Sequence, residues 1–278
     1  MPRPPSPSLA PPVTDPFLDR FSGIARLYGQ AALARFRAAH VMIVGVGGVG
    51  CWAAECLARS GVGNLTLVDA DDLCVTNTNR QIHALDGTYG KPKVGVMAAR
   101  LRSIQPGMKV TECPEFLSDR NVDHFLDTGC DAVIDAIDAV RAKCVLLARC
   151  RERQLPTVAC GAAGGRRDAT RIQIADLART KDDALLMAVR KRLRDEHGFP
   201  KAQPGQKIRK FHIEAVFSDE LPLYPTCEGE ISHERPDHVP AGLRCDAGYG
   251  TATHVTATFG MIAASRILEQ LAIPPKTA

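Results

Sequence analysis

Glycines at 45, 47, 48 and 50, in the stretch IVGVGGVG, are the first residues whose spacing implies chemistry. Lacking side chains, they let the backbone turn tightly and bring its N–H groups against phosphate oxygens at a helix N-terminus, where the dipole also favours negative charge. That pattern reports a phosphate and leaves the nucleotide open. Asp69, about 20 residues further on, suits a ribose hydroxyl, and on that fact alone a nicotinamide enzyme leads. The following run, DADDLCVTNTNRQIH, sets Asp71, Asp72, Asn77, Asn79, Arg80 and Gln81 just beyond, and Lys93 comes at the next helix start. A guanidinium and an ammonium beside the ribose suit a triphosphate about to be cleaved, because charge grows on its oxygens as pyrophosphate leaves.

These residues need a strand, a glycine turn, a helix and a second strand to hold them. Residues 41–45 and 65–69 read as buried strands, and 49–60 as a helix with Val49, Ala53, Cys56, Leu57 and Ser60 on one face. Pro92 and Pro106 bound another helix, in which Val94, Met97, Ala98, Leu101 and Ile104 keep helical spacing. Strands at 109–113, 132–137 and 156–160, with a helix over 139–151, continue an alternation that predicts an α/β fold. Its sheet is Rossmann-like and mainly parallel, helices cover both faces, and ligands belong at the carboxyl ends of the strands. Strand-like alternation at 171–175 and 211–217, around an amphipathic helix over 182–197, predicts a mixed sheet in the second half. A short helical region carries 27–37, and an Ala-rich helix over 251–272 closes the chain.

The 278 residues, 45% hydrophobic and 24% charged, suffice for one sizeable core. Seven prolines in the first sixteen residues predict a disordered tail over 1–14, with one domain over 15–278 and a long aperiodic crossover at about 219–250. Ten cysteines without a signal peptide or a C-x-x-C pair predict reduced thiols in a cytoplasmic protein. The apolar run 254–264 is broken by Arg266 and Glu269, short of the ~20 residues a membrane span needs.

Four segments carry a resemblance. GVGGVG, LVDADDLCVTNTNRQ, GKPKV and VIDAID, in that order, are similar to the ATP-dependent adenylyltransferase superfamily of ubiquitin-activating enzymes, MoeB and ThiF. RFSGIARLYG, VTNTNRQIHAL, CDAVIDAIDAVRAK and VTATFG resemble one branch of it more closely, the dehydratases of threonylcarbamoyladenosine in tRNA. The resemblance runs from about residue 20 to 271. It implies that Gly45, Gly47, Gly48 and Gly50 cradle ATP, with Asp71 and Gln81 beside it, and that Asp69 holds the ribose. Asn77, Arg80 and Lys93 would contact the phosphates, and Asp138 would bind Mg²⁺. The implied reaction activates the threonyl carboxylate as an acyl adenylate and closes it to a ring, with net loss of water. A homodimer is implied too, in which an Arg of one protomer reaches the other's phosphates; the aligned position is Gly23, between Arg20 and Arg26, so that Arg stays unassigned.

Cys245, in LRCDAGYG, matches a cysteine of the same branch and could form a transient thioester, although ring closure does not require one. Cys51, Cys56, Cys144, Cys150 and Cys160 fall on core elements and read as packing. Cys227, His233, His238 and Cys245 match no strong zinc spacing, so no structural zinc is expected. Formal net charge is +4, with a local excess in which Arg190, Lys191, Arg192, Arg194, Lys207, Arg209 and Lys210 form the expected tRNA-backbone surface. The alternatives are activation of a small sulfur carrier's C-terminal glycine, nicotinamide oxidoreduction, or an ATP-binding scaffold for a cysteine desulfurase or sulfur-acceptor partner.

Overall fold

In a computed structural model, residues 15–201, 205–226, 228–234 and 250–274 are described. The expected tail 1–14 and much of the crossover, with Cys227, His238 and Cys245, lie outside them. Seven strands form one sheet: β1 (His40–Val44), β2 (Asn64–Val68), β3 (Lys109–Cys113), β4 (Ala132–Asp135), β5 (Thr157–Cys160), β6 (Ile172–Asp176) and β7 (Glu214–Ser218). Their order is β3-β2-β1-β4-β5-β7-β6, and every neighbouring pair is parallel except β6 with β7. The chain runs outward from β1 in one direction through β2 and β3, then in the other from β4. The crevice between the carboxyl ends of β1 and β4 is therefore the topological switch point, where such sheets bind ligands.

The helices are α1 (Pro16–Tyr28), α2 (Gln30–Ala38), α3 (Gly50–Arg59), α4 (Lys93–Ile104), α5 (Val122–Leu126), α6 (Val140–Glu152), α7 (Ala184–Glu196) and α8 (Thr253–Ala272). The single helical region expected over 27–37 is two helices, divided at Gly29, whose φ of 88° glycine adopts at little steric cost. The expected one-faced helix after the glycines is instead buried on most sides: Cys51, Ala53, Ala54, Leu57 and Ala58 are inaccessible, and α8 lies close against it at Gly260. A Cβ on Gly260 would come within 2.4 Å of the Val49 carbonyl oxygen.

Strand β7 starts at Glu214 rather than at Phe211 because the Asp176 carboxylate captures the N–H groups of Phe211 and His212, at 2.9 and 2.8 Å. His212 turns to a φ of 61° there, which takes it out of the ladder. The crossover, expected without regular structure, contains a small hairpin of β8 (Tyr224–Pro225) and β9 (Ile231–Ser232). The cysteines placed on core elements are buried except Cys56, which is half-buried; burial pushes the Cys51, Cys144, Cys150 and Cys160 thiols up to about 12. Among the described residues no helix is long and apolar enough to cross a membrane.

Candidate nucleotide site

The glycine loop leaves β1 at the switch point and opens α3. Gly45 has a φ of 90°, and a Cβ there would lie 2.7 Å from the Ala136 carbonyl oxygen, so the segment after β4 presses directly on the loop. A Cβ on Gly50 would lie 1.8 Å from the Gly45 carbonyl oxygen. No side chain caps the start of α3, which leaves its first turn to a ligand.

Asp69, just past β2, accepts from Val46 N–H at 2.6 Å and from Asp71 N–H at 2.9 Å. Burial raises its pKa, against the opposing charge of Lys93. Its carboxylate thus fixes the loop as well as facing the crevice. Lys93 begins α4, is 7% exposed, and reaches Asp71 Oδ2 at 2.7 Å. Asn77 uses its side-chain oxygen to accept from Cys74 N–H at 3.0 Å, and its amide nitrogen has no partner among the described residues.

Arg80 is 8% exposed and packs over Gly48, where a Cβ would meet its Cγ at 3.1 Å. Its Nη1 donates to the Thr76 carbonyl at 2.8 Å and to Asn79 Oδ1 at 2.9 Å, while Trp52 Nε1 donates to the Arg80 carbonyl at 2.9 Å. No carboxylate pairs with this guanidinium among the described residues. Gln81, beside Gly47, has a buried Oε1 without a partner. Lys93→Ala is expected to slow pyrophosphate release about 100-fold. The fold should survive, because Asp71 is exposed and stays solvated. Pyrophosphate assays beside thermal melts check this, and equal losses in both would refute it.

Asp138 follows β4, which ends two residues earlier than the sequence suggests, at Asp135. It is exposed and has no partner among the described residues. Beneath it lies a group sequence reasoning missed. The Lys143 ammonium, fully buried, donates to the carbonyls of Ile137 at 3.0 Å and Asp135 at 3.3 Å, and lies 2.9 Å from Asp135 Oδ2. Asp135 Oδ1 accepts from Ile137 N–H at 3.1 Å. The DAID run holds both acids, and only burial separates the inner one from the outer.

His83 was also missed. It is 1% exposed, and neither ring nitrogen has a protein partner among the described residues. Burial first, then the charges of Lys93 and Arg100, press its pKa down to about 4. The unfolded chain, with His near 6.5, takes the proton first as pH falls. Stability is therefore full above about 6.5 and declines toward about 4, by roughly 3 kcal/mol. Melting curves across that window check this, and His83→Leu should flatten the decline.

The proposed tRNA surface is less free than its composition suggests. Arg190 bonds the Thr180 hydroxyl, Arg192 pairs with Glu196 at 2.8 Å, and Arg194 donates to the Pro200 carbonyl at 3.2 Å. Lys191, Lys207, Arg209 and Lys210 are exposed. The N-terminus of α7 is tied to the segment just past β5, where Asp183 accepts from Ala162 N–H at 2.9 Å. Arg20 donates to the Ile104 carbonyl at 2.9 Å, at the end of its own α4. His233 Nδ1 lies 3.1 Å from the Pro222 carbonyl oxygen. The Thr251 carbonyl accepts from the Asn79 side chain at 2.8 Å, which ties the start of the α8 segment to the 75–81 turn.

A glycine loop at the switch point of this sheet, with the buried Arg80 packed over it, marks a nucleotide-binding fold, and the chain belongs to the ThiF family, whose pattern matches residues 21–275. It is 46% identical over 260 residues to the tRNA threonylcarbamoyladenosine dehydratase of Escherichia coli (strain K12), covering 93% of this chain and 96% of that one. It is 45% identical to the protein of the same name from Haemophilus influenzae, over 92% of this chain and 95% of that one. The solved structure of the E. coli dehydratase TcdA in complex with ATP superposes with a TM-score of 0.81 at 44% identity, over 93% of this chain and 96% of that one. The E. coli molybdopterin-synthase adenylyltransferase is 39% identical over only 49% of this chain and 52% of its own.

Proposed function

We propose that this protein is an ATP-dependent tRNA threonylcarbamoyladenosine dehydratase. Similarity over nearly the whole chain to dehydratases of that name carries the reading, together with a buried Arg80 against the glycine loop that has no carboxylate partner among the described residues. The sulfur-carrier alternative rests on relatives matched over about half the chain, such as the 49% covered by the molybdopterin-synthase adenylyltransferases.

The substrate's threonyl carboxylate oxygen attacks the α phosphorus of ATP, and the bond to pyrophosphate breaks. Arg80 and Lys93 stabilise the negative charge that accumulates on the phosphate oxygens. Asp69 holds the ribose and keeps the glycine loop closed through Val46 N–H. A nucleophilic atom of the same modified nucleoside then attacks the acyl carbon, AMP departs, and the ring closes. Its tethered position gives it a high effective concentration. The products are the cyclic nucleoside, AMP and pyrophosphate.

Mg²⁺ fits the crevice because it takes one or two carboxylates and leaves its other positions to phosphate oxygens and water. Asp138, exposed and without a partner among the described residues beside the segment that presses on Gly45, would hold it, and the ion would supply charge neutralisation at the phosphates. The exposed Lys191, Lys207, Arg209 and Lys210 are proposed to contact tRNA phosphates distant from the modified base, and Cys245 to accept the acyl group as a transient thioester. The working unit is proposed to be a cytoplasmic homodimer.

Incubation with ATP, Mg²⁺ and tRNA carrying threonylcarbamoyladenosine, followed by nucleoside mass analysis, tests the reaction. Loss of one water with stoichiometric pyrophosphate is expected. An unmodified nucleoside mass alongside an adenylated carrier protein would overturn it.

A further inference from the structure

The placement of Asp138 raises a problem that its own side chain does not solve. A carboxylate that meets a metal–nucleotide complex must be held near one position, yet Asp138 is exposed and without a partner among the described residues. Its position must come from its backbone, and that backbone is gripped from inside the protein.

We infer that Lys143, on α6, is the positioning residue of the 135–138 turn, and that its bonds to the carbonyls of Asp135 and Ile137 set where Asp138 is presented to the metal. The inference rests on the proposed metal role of Asp138. Lys143 and Asp135 are both wholly buried, so water cannot substitute for any bond they make. The directed hydrogen bonds of the ammonium go to the two carbonyls, at 3.0 and 3.3 Å; its contact with Asp135 Oδ2, at 2.9 Å, is the ion pair that lets a charge remain in the core. Three further restraints act on the same few atoms. Asp135 Oδ1 accepts from Ile137 N–H, Ala136 N–H donates to the Val44 carbonyl at 2.9 Å, and the Ala136 carbonyl abuts Gly45. The turn is thus tied to the glycine loop on one side and to Lys143 on the other, and only Asp138 is left to project freely.

A purely structural ion pair and a positioning clamp predict different things. Removing either charge breaks the ion pair, but only removal of Lys143 frees the carbonyls. The readout is binding, without turnover: the factor by which manganese(II) tightens a non-hydrolysable ATP analogue relative to the same protein in EDTA. In D135N/K143M no buried charge is left unpaired, so folding should persist. The manganese enhancement should nevertheless fall about tenfold, with metal-free nucleotide binding little changed. In D135N, which keeps the ammonium and its carbonyl bonds, the enhancement should remain near wild type even if the melting temperature drops. A double variant with wild-type enhancement overturns the inference, as does an equal loss in D135N. If D135N does not fold, the double variant alone decides. D138A separates the two layers: it should lose the enhancement as the double variant does. An unaffected D138A would overturn the metal role of Asp138 and the inference with it, leaving the dehydratase reading to its own assay.

Discussion

Arg80→Ala should lower pyrophosphate release by about 10²–10³-fold while leaving the melting temperature close to wild type. A buried cation ordinarily has a carboxylate beside it, because desolvation of a lone charge is costly. Here the guanidinium is 8% exposed and, among the described residues, bonded only to neutral oxygens, the Thr76 carbonyl and the Asn79 amide. Its charge therefore contributes little to folding, and its removal should not harm the fold. The Arg80 side chain packs its Cγ and Cδ over the turn at Gly48, the part of the loop proposed to hold the phosphates. Arg80→Lys should recover part of the rate, since it keeps a charge but loses the planar fork. Rates taken beside thermal melts decide this. A rate within twofold of wild type, or a fall in stability matching the fall in rate, would remove Arg80 from the chemistry.

Gly50→Ala should weaken ATP binding by about 100-fold or more, through geometry alone. The added carbon would lie 1.8 Å from the Gly45 carbonyl oxygen and 3.0 Å from its carbon, and both partners are backbone. No rotamer relieves such a clash, so the loop must open and its N–H groups lose their common target. Gly47→Ala is the control. Its added carbon meets only the Gln81 side-chain nitrogen, at 4.0 Å, and that side chain can yield. Calorimetry with ATP should show a large loss for the first variant and a small one for the second, with circular dichroism preserved in both. Equal affinities would mean that the close approach of Gly50 to Gly45 does not shape the phosphate cradle.

Much of the fold was legible because its signals are local. The strands β1 and β2 and the helix α4 follow runs of apolar spacing that few residues can disguise, and the change from a parallel to a mixed sheet was readable in the alternation after residue 170. What was misread depended on distant partners. Nothing near Phe211 announces that Asp176 will take its N–H and shorten β7. In the site, Asp69, Arg80 and Lys93 stood out by type and order, whereas Lys143 looked like one more helix lysine and His83 like one more polar residue in a loop.

By itself the sequence determined the order of strands and helices, the glycine turn and the residue types available to a nucleotide. Backbone propensity, apolar periodicity and the freedom of glycine act over a few residues, and so they can be read along the chain. Burial and charge pairing were decided only in three dimensions. They depend on which segments meet, and the dielectric around a group is set by all its neighbours at once. That is why two acids three residues apart, Asp135 and Asp138, end in opposite surroundings, one paired with a lysine in the core and the other open at the crevice.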